Sequence, residues 1–218
     1  MPKTRLLLIR HGETDDNHRR IFQGQAGRGL NARGRDQSIR LAARFEQLGL
    51  RAQALYCSDL DRARETAELL SGALGVAPIA EPRLREVHVG EWQGLGYDDI
   101  AARYPDEWDA WRRGVDFKRG GGGETYAEVG DRVAAAVDSI AAAHAGETAV
   151  IVSHGAAIKV FVGKVLGLDT SALRRYRVAA NTGVTLVERE GGVDTLAIWN
   201  DASHLEDPLS ELRSPEAI

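Results

Sequence analysis

The sequence predicts an α/β fold, namely a three-layer α/β/α sandwich with a mostly parallel central sheet. Segments typical of strands and of helices alternate along the chain, as in sheets covered by helices on both faces. Two strand segments, 6–9 and 150–152, are short continuous apolar runs, which is typical of buried parallel strands. Both runs lead into a histidine and a glycine, at the strand end where α/β folds bind their ligands.

The first half of the chain supplies two strands and two helices. Leu41, Phe45 and Leu48 recur at spacings of four and three, which predicts a helix. Ser58 and Asp59 follow the second strand and are candidate N-caps for the next helix. The predicted elements are a strand over 4–9, a loop over 15–33, a helix over 34–48, a strand over 54–57 and a helix over 60–74.

The second half contains the longest predicted helix and a hairpin. An apolar stripe from Val129 to Ile140 indicates the helix, and Gly191 and Gly192 indicate the turn of the hairpin. The predicted elements are a structured loop over 83–96, a helix over 98–112 broken at Pro105, a flexible joint or tight loop over 120–123, a helix over 125–144, a strand over 148–153, a helix over 155–166, and strands over 183–188 and 194–199.

Length and composition predict one domain over 1–218, with a polar tail over about 206–218. The chain is 43% hydrophobic and 28% charged, as in ordinary soluble globular proteins. Its net charge of -4 argues against a nucleic-acid partner. No apolar run is long enough for a signal peptide or a membrane span, so we expect a cytoplasmic protein without a membrane partner. A homodimer is left open.

Cysteine and histidine spacing predicts neither a disulfide nor a metal site. Cys57 is the single cysteine and is interpreted as a small buried hydrophobic residue. No His-Glu-x-x-His pattern and no cysteine pair is present, and a P-loop sequence is also missing. We therefore expect no metal and no other cofactor. His144 ends the longest helix, where a cation suits the helix dipole.

Three predicted strands lead into basic side chains. Arg10 and His11 follow the first strand, His154 follows the strand over 148–153, and Arg62 lies in the first turn of the helix after 54–57. If these strands are neighbours, the four side chains meet and can hold a phosphoryl dianion, because guanidinium groups match phosphate oxygens. Two histidines in such a pocket suggest that one is a nucleophile. The alternative for Arg62 is an exposed arginine, although a cation at a helix N-terminus opposes the dipole unless it shares an anion.

A set of short motifs carries a family resemblance over residues 6 to about 200. They are Arg10-His11-Gly12 with Asn17, residues 58–67, Leu84-Arg85-Glu86 followed by 90–94, residues 122–125, Ser153-His154-Gly155 and Asn181-Thr182-Gly183. In this order they resemble the histidine phosphatase superfamily, also called phosphoglycerate-mutase-like. The resemblance implies the corresponding α/β fold and a metal-independent phosphomonoesterase that acts on a small phosphorylated metabolite.

The resemblance also implies a role for each matching residue. His11 would be the nucleophile that becomes phosphohistidine, while Arg10, Arg62 and His154 would hold the phosphoryl oxygens. Glu86 would act as general acid and then as general base, and its alternative is a solvated loop carboxylate. Further phosphate or substrate contacts are expected from Asn17, Gln23 and Gly24, of which Asn17 alone matches the family cleanly, and His88 lies close enough to the acid to face the substrate.

The segment after Glu86 favours a phosphatase over a cofactor-dependent phosphoglycerate mutase. It has no tyrosine three residues beyond the acid, and Glu91-Trp92-Gln93-Gly94 is similar to the family's phosphatases. Arg112 and Arg113 nevertheless resemble the basic pair of the mutases. With Lys118 and Arg119, this pair would suit a second anionic group on the substrate, or it would form a solvated charged face.

A protein of another class, which binds phosphate ligands or partners without catalysis, is the remaining alternative. The presence of both arginines, both histidines and the acid argues against it.

Overall fold

The computed structural model describes residues 2–177 and 180–205, so the tail predicted over 206–218 lies outside the described residues. Six strands form one sheet in the order β3-β2-β4-β1-β5-β6. The first four strands run parallel, whereas β5 is antiparallel to β1 and β6 is antiparallel to β5. The strands are β1 (Thr4–Arg10), β2 (Ala54–Cys57), β3 (Pro78–Ala80), β4 (Thr148–Ser153), β5 (Val184–Glu190) and β6 (Val193–Asp201).

Helices cover both faces of this sheet, which confirms the predicted α/β architecture. Alternate residues of β1 point to opposite sides, so Leu6 and Leu8 join one apolar cluster while Leu7 and Ile9 join another. The helices are α1 (Asp15–His18), α2 (Ala32–Gln47), α3 (Asp61–Leu74), α4 (Tyr97–Arg103), α5 (Pro105–Arg113), α6 (Tyr126–Ala143) and α7 (Gly155–Val165). The first cluster packs against α6 and α7, and the second against α2 and α3.

Most predicted elements agree with the structure to within two residues. The helix predicted over 98–112 is divided at Pro105, which begins α5 and ends the preceding helix, as proline does at a first helical position. Thr125 caps α6 with a capping box that includes Glu128. None of the helices in the described part of the chain has the length and apolar character that a bilayer-spanning segment needs.

Three local predictions were wrong. The short strand β3 was not predicted, because three residues carry too little periodicity. The loop predicted over 15–33 contains α1, which Thr14 caps through a capping box with Asn17. The N-cap of α3 is Leu60, without a side-chain cap, rather than Ser58 or Asp59. Asp59 instead pairs with Arg85.

The glycines over 120–123 form a tight loop. Gly120 has a φ of +53°, and a Cβ on it would collide with the backbone of residues 89–92. Gly123 approaches the carbonyl oxygens of His88 and Arg119 equally closely. This contact fixes the segment that leads into α6 against the loop that follows Glu86.

Candidate active site

The ends of the three central parallel strands bring the predicted basic residues together. Arg10 is paired in register with Ser153, so His11 and His154 follow side by side. Their ring centroids are 5.1 Å apart. Arg62, in the first turn of α3, reaches the same point, and its Nε lies 3.3 Å from Nε2 of His11. The predicted convergence of these four side chains is therefore observed.

A cavity of about 750 Å³ lies at this edge of the sheet. Arg10, His11, Arg62 and Glu86 all contribute to its wall. His154 is fully buried and does not itself line the cavity. Neither of its ring nitrogens has a hydrogen-bond partner among the described residues.

The hydrogen bonds of His11 determine its tautomer. Nδ1 lies 2.7 Å from the carbonyl oxygen of Gly12, so the proton sits on Nδ1 and donates to that oxygen. Nε2 then keeps its lone pair and faces Arg62. Burial lowers the pKa of His11 well below 6.5, and the charges of Arg62 and Arg10 lower it further, against the opposing effect of the Gly12 carbonyl. His11 is therefore neutral at physiological pH.

The position of His11 is supported from two directions. The amide of Gly12 donates to Oγ1 of Thr66 at 3.0 Å. Nδ2 of Asn181 donates to the carbonyl of His11 at 2.9 Å, and the amide of Thr182 donates to the carbonyl of Arg10. These bonds connect the end of β1 to α3 and to the segment before β5.

Arg62 is a buried residue, only 2% exposed, so the alternative of an exposed surface arginine is wrong. Its Nη1 donates to the carbonyl of Ala26 at 2.8 Å and its Nη2 to the carbonyl of Gly24 at 2.7 Å. Burial lowers the pKa of Arg62 to about 10, which the carboxylate of Glu86 counteracts, so the guanidinium stays charged at neutral pH. The bonds to the 24–26 loop orient the group toward His11.

Glu86 has a defined place at the N-terminus of α7. Its Oε1 accepts from the amides of Val87 and Ala157, and its Oε2 accepts from the amide of Ala156 at 3.2 Å. A carboxylate is stabilised there by the free amides and by the helix dipole. The alternative of a solvated loop carboxylate is therefore wrong.

A half-buried ion pair holds the loop that carries Glu86. Arg132 on α6 pairs with Glu124 at 2.7 Å and donates to the carbonyl of Glu86 at 2.9 Å. Glu124 also accepts from the amide of His88 at 2.8 Å. Burial by itself raises the pKa of Glu124. The hydrogen bonds from Arg132 and from the amide of His88 outweigh that effect, so the pKa lies below its usual value and the carboxyl group is ionised. The glutamate of the 122–125 motif thus positions the acid-bearing loop.

The structure separates the predicted substrate-binding residues into two groups. Asn17, Gln23 and Gly24 line the cavity, and their contact with a substrate stays a prediction. By contrast, His88, Arg112 and Arg113 do not belong to its wall.

Local geometry explains why His88 and the pair Arg112 and Arg113 lie outside the cavity wall. Val87 and Val89 face the cavity, so His88 between them points away, and its Nδ1 accepts from the amide of Gly90. On α5, Trp111 packs into an aromatic cluster and lines the cavity. Arg112 and Arg113 consequently lie on the exposed side of that helix.

Several residues of the cavity wall were not predicted. Phe22, Tyr97 and Trp111 form an aromatic wall with ring centroids 5.2 to 6.1 Å apart. They come from three separate segments, so no sequence period connects them. Lys159 lies one helical turn after Gly155 on α7, and that i, i+4 spacing does predict that both face the same side. Further unpredicted wall residues are Glu13, Asp16, Arg20, Ile21, Tyr126, Ala156 and Arg177.

Within residues 2–177 and 180–205, no three histidine, cysteine or acidic side chains lie together in a group that could hold a metal ion. Cys57 is buried, as predicted, and burial raises the pKa of its thiol to about 11.

Comparison with known proteins agrees with this geometry. Residues 6–202 match the family model of the histidine phosphatase superfamily, branch 1. A curated relative from Erwinia tasmaniensis, named a probable phosphoglycerate mutase, is 34% identical over 95% of this chain and 98% of its own length.

Two solved structures are also similar. Bacillus stearothermophilus YhfR is 35% identical, with a TM-score of 0.85 over 92% of this chain and 98% of its own. A mycobacterial glucosyl-3-phosphoglycerate phosphatase in complex with VO3 is 29% identical, with a TM-score of 0.81 over 90% of this chain and 98% of its own.

Proposed function

Since the chain belongs to branch 1 of the histidine phosphatase superfamily, we propose that it is a phosphomonoesterase that needs no metal and acts through a phosphohistidine. The substrate is a small phosphorylated metabolite, and the expected location is the cytoplasm. One observation carries this proposal. A neutral histidine whose Nε2 accepts a hydrogen bond from a buried arginine lines a cavity that a carboxylate also lines.

In the first half of the reaction, Nε2 of His11 attacks the phosphorus atom while the bond to the alcohol oxygen breaks. Glu86, in its protonated form, donates its proton to that leaving oxygen. Arg10 and Arg62, which line the cavity, stabilise the phosphoryl oxygens in the transition state, which is the main demand of phosphoryl transfer. His154 lies just behind the wall, 5.1 Å from His11 between ring centroids, and we assign to its ring, which has no hydrogen-bond partner among the described residues, one further hydrogen bond to a phosphoryl oxygen. The products are the free alcohol and a phosphorylated His11.

In the second half, water attacks the phosphorus atom of phosphohistidine. The Glu86 carboxylate removes a proton from that water, and the phosphorus–nitrogen bond breaks. Inorganic phosphate leaves, and both His11 and Glu86 return to their starting protonation states. Each proton that Glu86 donates in the first half is thus recovered in the second.

A phosphoglycerate mutase is the second candidate, favoured by the name of the Erwinia tasmaniensis relative. Two features support the phosphatase instead. The basic pair that resembles the mutases, Arg112 and Arg113, lies outside the cavity wall. Val89 lines the cavity at the position three residues beyond Glu86, where the mutase pattern has a tyrosine.

The test is a phosphate-release assay of the purified protein without added metal. The panel contains p-nitrophenyl phosphate, sugar phosphates, phosphoglycerates, glucosyl-3-phosphoglycerate, nucleotides and α-ribazole phosphate. We expect release of phosphate and an acid-labile, base-stable phosphoprotein after rapid quenching. His11→Ala removes the nucleophile, so kcat should fall on the order of 10⁴-fold or more, with no phosphoprotein formed.

His18→Ala is the matched control, because His18 is an exposed histidine on α1 that does not line the cavity. Full activity of His11→Ala would refute the phosphohistidine mechanism. Interconversion of 2- and 3-phosphoglycerate without release of phosphate would identify a mutase. A protein that binds these compounds but transforms none would be a non-catalytic member of the fold.

A further inference from the structure

We propose that the cavity contains a second anion-binding subsite formed by Lys159 and Arg177, and that the substrate is a phosphomonoester whose alcohol portion carries another anionic group. Either a carboxylate or a second phosphate would supply the negative charge that this subsite binds. This inference rests on the proposed function, because it concerns the substrate of the same site. It assigns the second anion to residues other than the basic pair on α5.

The charges in the cavity exceed what one phosphoryl group needs. A phosphomonoester carries about 1.5 to 2 negative charges at neutral pH, and Arg10 and Arg62 already match that charge. The same cavity is lined by four further cations, Arg20, Arg119, Lys159 and Arg177, and by three carboxylates, Glu13, Asp16 and Glu86. With a single phosphoryl group bound, the wall would therefore keep about one positive charge in excess.

Lys159 is a half-buried cation without a carboxylate partner among the described residues. Its Nζ lies 5.8 Å from the centroid of the Tyr176 ring, and the hydroxyl of Tyr176 donates to the carbonyl of Lys159. Burial lowers the pKa of Lys159, and the nearby charge of Arg177 lowers it further. An anion bound between Lys159 and Arg177 would offset the repulsion between the two cations.

Arg119 adds a fixed positive charge to the cavity wall. The residue is 1% exposed, and its Cζ lies 3.8 Å from the centroid of the Tyr126 ring and 5.4 Å from that of Phe117. Its Nη1 donates to the carbonyl of Glu124, while Nε and Nη2 have no hydrogen-bond partner within the described part of the chain. A buried guanidinium without a carboxylate is costly, and a nearby ligand anion would offset that cost.

The substrate must therefore extend from His11 along the cavity to α7. Lys159 lies one turn along that helix from Gly155, and Gly155 itself lies close to Arg10, since a Cβ there would be 3.6 Å from its Nε. The phosphoryl site and the proposed subsite are thus adjacent on one helix. A metabolite of a few carbon atoms can contact both.

The test compares substrates that differ only in the second anion. The pairs are 3-phosphoglycerate against glycerol 3-phosphate, and fructose 1,6-bisphosphate against fructose 6-phosphate. We expect kcat/KM of the unmodified protein to favour one anion-bearing member by about 10-fold or more, as for a hydrogen bond between charged groups. A preference within the first pair would show that the subsite binds a carboxylate, and a preference within the second pair would show that it binds a phosphate.

The variant Lys159→Gln should reduce that preference by about 10-fold. Lys164→Gln is the matched control, because Lys164 lies on the same helix, pairs with Asp131 on the surface and does not line the cavity. Equal kcat/KM within both pairs would overturn the subsite even though hydrolysis occurs. An unchanged preference in Lys159→Gln would also overturn it.

Calorimetric binding to the His11→Ala protein separates this inference from the proposed function. This protein carries the cavity without the nucleophile, so affinity is measured without turnover. We expect 3-phosphoglycerate to bind about 10-fold more tightly than glycerol 3-phosphate, or fructose 1,6-bisphosphate about 10-fold more tightly than fructose 6-phosphate. Adding Lys159→Gln to the His11→Ala protein should remove that difference in affinity. If neither pair shows a difference in affinity, the subsite is refuted whether or not the unmodified protein releases phosphate.

Discussion

His11 keeps its reactive nitrogen unprotonated because a neighbouring carbonyl fixes the proton on the other ring nitrogen. Gly12 supplies that carbonyl 2.7 Å from Nδ1. The buried surroundings and the two arginines disfavour a second proton on the ring. The same cations to which we assign phosphoryl binding therefore keep the proposed nucleophile unprotonated.

Glu86→Gln tests the role of the acid at the scale of one residue. Glutamine keeps most of the shape but has no proton to donate, so kcat for an alkyl phosphate should fall about 10² to 10⁴-fold. The loss should be much smaller for p-nitrophenyl phosphate during phosphorylation of His11, because its leaving oxygen needs little protonation. Single-turnover kinetics with both substrates measures this step.

Glu91→Gln provides the control for that experiment. Glu91 follows in the same loop, but its carboxylate accepts from the hydroxyl of Tyr104 on the surface and does not line the cavity. Equal losses for the two substrates in Glu86→Gln would contradict the assignment of Glu86 as the general acid.

Two strands of the sheet end in the same way, and their register places the two histidines together. Arg10 of β1 pairs with Ser153 of β4, so the residues that follow are neighbours. Beyond that point the chains differ, since His154 leads directly into α7 while His11 leads into a loop. The loop is held by α2, whose Gly34 touches the backbone of Gly12 and Glu13.

Gly12→Ala tests this contact between β1 and α2. A Cβ at Gly12 would collide with the carbonyl oxygen of Gly34. We expect the free energy of unfolding in urea to fall by about 1 to 3 kcal/mol, as for overpacked sites, and kcat to fall because Gly12 orients His11. Circular dichroism with phosphate release measures both effects.

Gly72→Ala is the matched substitution in α3. A Cβ there meets nothing within 4 Å, and alanine is the better helix former, so stability should rise by about 0.5 to 1 kcal/mol. If Gly12→Ala proved as stable as the unmodified protein, the close approach of α2 would not constrain the site.

The molecule as a whole buries several histidines in their neutral form, and this links its stability to pH. Burial lowers the pKa of His204 to about 4, chiefly by desolvation, with Arg44 contributing. Its Nε2 lies 2.8 Å from Oγ1 of Thr182, whose amide holds the carbonyl of Arg10. Burial also lowers the pKa of His11 and His154 well below 6.5.

The lowered pKa values of these histidines make the folded protein less stable at acidic pH. As the pH falls below 6.5, the unfolded chain binds protons at these histidines while the folded chain does not, so the free energy of unfolding decreases. For His204 this decrease ends near pH 4, where the folded protein is protonated as well. We expect urea unfolding to show lower stability at pH 5 than at pH 7.5.

His204→Gln should lose less stability between those two pH values than the unmodified protein, because one of the linked groups is removed. His18→Gln, which replaces an exposed histidine, should lose as much as the unmodified protein. The same loss in His204→Gln and His18→Gln would show that His204 is not linked to folding.

The sequence by itself determined the α/β fold and the family to which the chain belongs. Apolar runs predicted β1 and β4, and the residues at their ends, Arg10, His11 and His154, carried the family resemblance. These features are local, because strand periodicity and the residue after a strand are both read within one short segment. The sequence could not predict β3, because its three residues are too few to show a period.

Tertiary structure alone decided which further residues line the cavity. It placed Arg112 and Arg113 outside the cavity and brought Lys159 and Arg177 into its wall. It also showed that Arg62 is buried and that Glu86 sits at the N-terminus of α7. Apart from the face that Lys159 shares with Gly155 on α7, each of these facts depends on how segments distant in the chain pack against one another, and packing of this kind leaves no periodic signal in the sequence.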